Sequence, residues 1–515
     1  MVPEFRNEAL TDFSLPANRQ AMEQALEAAE GRAGQEYPLR IGGEPVTSGA
    51  WFTSINPARP SMVVGRVARA GRAEADRALA AAQEAFKTWS RTDAAERARL
   101  LFKTAAIMRR RKHDFSATMV LEIGKPWPEA DADTAEAIDF CEFYGREMLR
   151  LAAPQPLTRI PGTDNDLVYL PLGVGLIVPP WNFPLAILTG MTVSAIVAGN
   201  TVLLKPSSLT PVIGAMLVQV LEEAGLPPGV VNFIPGPGGE VGEYLIQHPQ
   251  IRFVSFTGSR EVGSHIYETA AKVQPGQRWL KRVIAEMGGK DAIVVDETAD
   301  LDAAAEGVVV SAFGFSGQKC SACSRLIAVD AIYDDLLERV VARAKALRVG
   351  DPRHYETQMG PVADINQFRK IMGYIEVGRQ EGRLVLGGNG DSKEGFFVEP
   401  TIFADVAPGA RIEQEEIFGP VLACIRARDY DDALRIANDT VFGLTGGVYS
   451  RDRYRLKQAR EEFHVGNLYF NRKCTGALVG VEPFGGFNMS GTDSKAGGRD
   501  YLLLLTQPKV ISERL

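Results

Sequence analysis

No charged residue occurs between Asp166 and Lys205. The run "VGLIVPPWNFPLAILTGMTVSAIVAGNTVLL" within that interval is long enough to span a bilayer as a helix. Its punctuation argues against one. Pro179, Pro180, Asn182 and Pro184 interrupt it, and Gly199-Asn200 breaks it again. Proline lacks the N–H that a helix interior needs and its ring clashes with the preceding turn. An uncharged stretch that cannot stay helical reads as buried strand, turn, buried helix and buried strand. That fragment belongs in a sheet covered on both faces.

The flanking sequence continues the pattern. Short apolar runs recur at "TVLLKP" (201–206), "VVNFIP" (230–235) and "RFVSFTG" (252–258), with helical stretches between them. Such alternation is the signature of an α/β domain with a largely parallel sheet. Upstream, residues 73–153 carry apolar residues at helical spacing, as in "AEADRALAAAQEAFKTW" and "ERARLLFKTAAIMRRRKHDF". A second alternating block runs from "DAIVVD" (291–296) to about residue 470. Two α/β domains are expected, in keeping with 515 residues. The segment "LTRIPGTDNDLVYLPLG" (157–173) has extended halves around a polar turn and predicts a projecting hairpin. The tail "YLLLLTQPKVISERL" is apolar for a chain end and is expected to pack on a partner subunit.

A net charge of −7 argues against nucleic acid or an anionic membrane as the main partner and leaves a small molecule. The start, "MVPEFRNEALTDF", has neither the basic nor the apolar region of a secretory signal. The cysteines at 141, 320, 323, 424 and 474 are odd in number, which points to reduced thiols and a cytoplasmic setting.

Two of those cysteines share the stretch "GFSGQKCSACSR" (314–325). Zinc needs about four ligands, and no second C-x-x-C or H-x-x-C lies nearby. A redox dithiol would sit near the start of a small βαβ unit. A cysteine–histidine pair has no local partner, and burial as structural cysteine is the commonest fate of the residue. The context decides between them. "AEMGGKD" (285–291) sets a carboxylate before two glycines, and "PPWNFPL" (179–185) holds an amide rigidly in an apolar turn. A thiol, a carboxylate, an amide and Gly-rich strand–helix turns suit thiol-mediated aldehyde oxidation. A thiolate attacks the aldehyde, neutral donors stabilise the oxyanion, and a base activates water against the thioester.

These motifs resemble those of the aldehyde dehydrogenase superfamily over nearly the whole chain. "FSGQKC", "EMGGK", "PWNFP", "FTGSREVG" (256–263), "EEIFGPV" (415–421) and "PFGGFNMSG" (483–491) occur in that family's order. The resemblance implies two three-layer α/β/α domains with a small β oligomerisation element. It divides the chain into a NAD(P)-binding unit (1–156 and 174–287), a thiol-bearing unit (288–478) and an oligomerisation hairpin with C-terminal arm (157–173 and 479–515). It makes Cys320 the nucleophile, Glu286 the general base and Asn182 the oxyanion donor. Lys205 would bind the adenosine ribose, and Glu416 the nicotinamide ribose, with Phe418 beside it. Gly258 and Ser259 would open a helix facing the pyrophosphate. Pro180, Trp181, Gly238, Gly242, Phe256 and Thr257 would complete the cofactor's surroundings. Ser208 stands where members that prefer NAD carry glutamate, so NADP is expected to be accepted beside NAD.

Residues 466–502 resemble one branch, the 1-pyrroline-5-carboxylate dehydrogenases, which oxidise L-glutamate 5-semialdehyde in the second step of proline breakdown. Lys473-Cys474 and Val481-Glu482 depart from that branch's pattern. By this resemblance Ser321, Gly476 and Ala477 would hold the substrate carboxylate and Glu136 its ammonium. Phe183 and Phe484 would wall the aliphatic stem, and Lys319 would add positive potential. A homodimer or trimer of dimers is implied. Another semialdehyde dehydrogenase, such as one for succinate semialdehyde, and a catalytically silent cofactor-binding protein remain as alternatives.

Overall fold

The structure is a computed structural model describing residues 2–515. The uncharged run forms the strand Val174–Val178, a tight turn, the helix Ala186–Val197 and the strand Thr201–Leu204. All of that helix except Ile187 is buried. Among the described residues no helix is long and apolar enough to cross a membrane.

Those strands lie in a seven-stranded sheet. Its order is Arg282–Glu286, Phe253–Thr257, Val174–Val178, Thr201–Leu204, Val231–Phe233, Leu39–Ile41 and Glu44–Val46. The first five strands are mutually parallel and the last two pair antiparallel. A second seven-stranded sheet runs Arg383–Leu386, Thr401–Ala404, Val421–Ala427, Arg325–Val329, Ala292–Val295, Thr445–Tyr449 and Asn467–Phe470. Only its first pair is antiparallel.

Both sheets are packed on both faces, and alternate strand residues show it. Ala292 and Val294 enter one apolar cluster, whereas Ile293 and Val295 enter another. In the first sheet Val202 and Leu204 face one cluster and Leu203 the opposite one. Two mixed, mainly parallel sheets between helical layers give the α/β architecture expected from the sequence.

Strand order also locates a crevice. In the first sheet the chain builds outward from Val174–Val178 in one direction, then returns to place Phe253–Thr257 on its other side. Ligands of open parallel sheets bind outside the carboxyl ends of the strands at such a reversal. Here those ends carry Pro179–Asn182 and Gly258–Ser259.

Two expectations are corrected. Residues 157–173 form no hairpin of their own: the strand Thr163–Pro171 pairs antiparallel with the C-terminal strand Thr506–Arg514. The local turn signal was read correctly as a break but not as a join to a strand that remote. The first part of the apolar tail packs within the chain rather than on a partner subunit. Tyr501, Leu502 and Leu505 are buried within this chain, and only the strand that follows is exposed.

Asn200, fully buried, ties this junction together. Its Oδ1 accepts from the Leu172 and Gly173 N–H groups at 2.7 and 3.0 Å. Its Nδ2 donates to the Ala195 and Leu505 carbonyls at 3.1 and 2.9 Å. Asn200→Ala strands these buried groups, and about 3 kcal/mol of unfolding free energy is the expected loss. In a urea titration this reads as a lower midpoint with unchanged slope; an unmoved midpoint would show the junction to be held by packing alone.

Candidate active site

The helix Leu301–Phe313 ends in a short turn, Gly314–Gly317, whose Phe315, Ser316 and Gly317 are all left-handed, at φ 49°, 57° and 67°. Gly317 is required there. A Cβ on it would stand 2.3 Å from the Gly419 carbonyl oxygen, and left-handed backbone disfavours any side chain. Gln318, fully buried, clamps the turn. Its Nε2 donates to the Phe315 and Pro361 carbonyls, each at 3.3 Å, and its Oε1 accepts from the Ala363 N–H at 2.8 Å. Cys320 follows as the one cysteine of the five that is only partly buried.

Asn182 comes from the crevice of the first sheet. Its Nδ2 donates to the Gln318 carbonyl at 3.1 Å. That fixes an amide beside the thiol and leaves a second N–H on the same nitrogen. Glu286 ends the strand Arg282–Glu286, and its Oε1 is buried without a hydrogen-bond partner. Burial pushes this carboxyl up to about 8, against the pull of Lys495. Burial likewise pushes the Cys320 thiol well up, and the carboxylates of Glu286, Asp291 and Glu416 add to it. Both groups are therefore biased toward their neutral forms.

Cys320 lies in the wall between two cavities, and Phe256 and Thr257 are the other residues that line both. The first cavity brings together Glu136, Phe183, Glu286, Ser321, Gly476, Ala477 and Phe484. The second brings together Pro180, Trp181, Asn182, Lys205, Ser208 and Gly238, and adds Gly258, Ser259, Glu416 and Phe418.

Two residues fall outside. Lys319 lines neither cavity; its Nζ pairs with Glu129 Oε1 at 2.7 Å, because the adjacent half-buried carboxylate outcompetes open space. Gly242 is also outside both cavities. It lies in the turn Gly238–Gly242, where a Cβ would sit 3.6 Å from Lys205 Cε, so it packs beneath that lysine.

The second cavity suits a dinucleotide. Lys205 is nearly buried and has only a long contact, 3.4 Å, to the Gly236 carbonyl. Burial lowers its ammonium to about 8. An under-satisfied donor of this kind fits sugar hydroxyls. Across the cavity Glu416 Oε1 accepts from the Gly289 N–H at 3.3 Å, and burial raises its carboxyl to about 7. A Cβ on Gly288 would meet Glu416 Oε2 at 2.2 Å, so only glycine there lets this carboxylate approach. Ser259 caps the helix Arg260–Ala271, its Oγ accepting from the Val262 N–H, and presents that helix's positive end to the cavity.

A model of the aldehyde dehydrogenase family matches residues 46–511. The chain belongs to that family. It is 63% identical over 513 residues to the 1-pyrroline-5-carboxylate dehydrogenase of Geobacillus thermodenitrificans, with all of both chains covered. The structure of 1-pyrroline-5-carboxylate dehydrogenase from Thermus with bound NAD superposes with a TM-score of 0.98 at 56% identity, again over the full length of both chains. Proline utilization A from Bdellovibrio bacteriovorus is 46% identical, and 53% of that longer chain is covered.

Within this aldehyde dehydrogenase fold the cavities also contain residues that sequence reasoning missed. Phe140 and Tyr144 line the first cavity on the face of the helix Trp127–Ala152 that carries Glu136. The spacing of four was a usable signal. Gln367 and Lys370 line the second cavity from the helix Ile365–Glu381. Their spacing shows a shared helix face but nothing about which strand ends it opposes.

Native protein treated with iodoacetamide is expected to lose one thiol, Cys320, before the buried four. The rate should keep climbing with pH past the ordinary thiol range, because the thiolate is the reactive form and the thiol's titration is displaced upward. Peptide mapping that finds Cys323 labelled as fast would overturn this.

Proposed function

We propose that the chain oxidises L-glutamate 5-semialdehyde, which 1-pyrroline-5-carboxylate forms when water opens its ring, to L-glutamate with NAD. The carrying observation is the Cys320 thiol in the wall between a cavity suited to a dinucleotide and one lined by Glu136, Gly476 and Ala477. The full-length likeness to 1-pyrroline-5-carboxylate dehydrogenases supports the same substrate.

In the substrate cavity the N–H groups of Gly476 and Ala477 and the Ser321 hydroxyl hold the α-carboxylate. Glu136 meets the ammonium, and Phe183 and Phe484 confine the stem. Cys320, deprotonated, attacks the aldehyde carbon through Sγ, and the carbonyl π electrons move onto oxygen. The free N–H of Asn182 Nδ2 and the Cys320 backbone N–H stabilise that oxyanion. NAD, when bound along Lys205 and Glu416, supplies the hydride acceptor. Glu286 then takes a proton from the water that attacks the thioester; the C–S bond breaks and Cys320 leaves as thiolate. Because Glu286 works as a base only when ionised, the rate should rise with pH through about 8.

Ser208 lines the nucleotide cavity and carries no charge to repel a 2′-phosphate, so NADP serves beside NAD. The exposed ribbon of Thr163–Pro171 and Thr506–Arg514 presents Leu170, Val510 and Ile511 to solvent, which suits burial in a homodimer or trimer of dimers. Five unpaired cysteines suit a reducing, cytoplasmic setting.

Cys320→Ala should reduce turnover by at least about a thousandfold, whereas Cys323→Ser, altering a core position, should retain it. Near-wild-type turnover in the alanine variant sinks the mechanism. Glu286→Gln should lose most of the hydrolysis rate and the rise through about pH 8. Steady-state kinetics across short semialdehydes with each cofactor test the substrate: faster turnover of succinate semialdehyde would displace glutamate semialdehyde, and background rates with NADP would remove the second cofactor.

A further inference from the structure

A lysine–aspartate pair lies sealed beside the substrate cavity. Lys125 Nζ meets Asp133 Oδ2 at 2.6 Å, and neither side chain has any exposed surface. Asp133 Oδ1 accepts from the Ala186 N–H at 2.6 Å, so the same carboxylate anchors the start of the helix that follows the Asn182 turn. The Lys125 ammonium stands 4.0 Å from the centroid of the Phe183 ring and 4.8 Å from that of Phe315. Phe183 walls the substrate cavity, and Phe315 belongs to the left-handed turn leading to Cys320. Three residues along its helix from Asp133, and therefore on a neighbouring face, Glu136 points into the cavity. The mechanism above uses Lys125 for nothing, yet a buried ion pair is costly to keep.

We infer that Lys125 is a positioning residue for substrates bearing an ammonium: paired with Asp133, it fixes the Phe183 wall and balances the charge around Glu136. This rests on the reading of Glu136 as the ammonium's partner. Several groups face Glu136. Asp133 and Asp139 lie on its own helix, Glu286 projects from the strand Arg282–Glu286, and Lys125 comes from the loop before the helix. Burial raises Glu136 to about 8, the three carboxylates push the same way, and Lys125 opposes them. Without Lys125 the carboxyl would hold its proton to higher pH and offer the ammonium a neutral partner. With a neutral residue in place of Asp133 it would ionise at lower pH. The two members of the pair thus act on Glu136 in opposite directions, which a purely structural role would not do.

The test measures kcat/KM of the full-length enzyme with NAD, from about pH 6.5 to 9.5, for two aldehydes. One is L-glutamate 5-semialdehyde. The other, 5-oxopentanoate, keeps the aldehyde and carboxylate and lacks the ammonium. Comparing the ratio of the two between each variant and wild type at the same pH cancels the substrate's own titration. In wild type the ratio should rise as Glu136 ionises. Lys125→Met should move that rise to higher pH and lower the ratio about tenfold at neutral pH, the effect of one unit of displacement. Asp133→Asn, which keeps an oxygen for the Ala186 N–H, should move it to lower pH. Opposite displacements carry the inference. Equal losses for both aldehydes at every pH, or displacements in the same direction, overturn it. If Lys125→Met does not fold, the direction of the Asp133→Asn displacement decides alone. A wild-type ratio near one throughout would overturn the reading of Glu136 itself, whereas a high wild-type ratio with unmoved variants overturns only the role of Lys125.

Discussion

The hydrogen bond from the Asn182 amide to the Gln318 carbonyl is the contact on which the site depends. It joins the turn at the switch point of the first sheet to the turn that carries Cys320, across 136 residues of sequence. The second of these turns is not relaxed. Phe315 and Ser316 adopt left-handed backbone without being glycine, at a cost on the order of 1–3 kcal/mol each. Such conformations persist only when surroundings over-determine them, and here the Gln318 side chain does so with three backbone bonds. A thiol, an amide and a carboxyl from two sheets thus converge without a flexible loop among them.

One force sets the electrostatics of this convergence. Desolvation is the largest cause for Cys320, Glu286, Glu136, Glu416 and Lys205, and in each it favours the neutral form. Walls this apolar keep charge low at rest. Burial raises the Asp133 carboxyl as well, and the Lys125 ammonium at 2.6 Å is the counter-charge that opposes it. Charge introduced by ligands then acts in a medium with little water to screen it, where each interaction is stronger than in bulk.

Much of this was legible along the chain. The prolines and the Gly199-Asn200 break parsed the uncharged run into strand, turn, helix and strand, because these choices are made by each residue's own backbone. The glycines of "EMGGK" and "GQKC" likewise marked close approaches, to Glu416 and to Gly419. Lys319 shows the limit. Its place beside Cys320 suggested a charge at the substrate, but its ammonium is held by Glu129, 190 residues distant. A long, flexible side chain goes where a counter-charge is, and sequence does not show which carboxylate that will be.

What the sequence by itself determined is local: element types, the breaks between them, and the chemical groups that could make a covalent aldehyde chemistry. Each follows from steric rules acting over a few residues. What only the tertiary structure decided is pairing at long range. It set the tail against residues 163–171 rather than making a hairpin there, and brought Tyr144 and Tyr501 into one stacked wall of the substrate cavity. It also placed Lys125 between two aromatic rings. These depend on which surfaces meet when two sheets dock, and close packing, unlike backbone sterics, is a property of all the meeting surfaces at once.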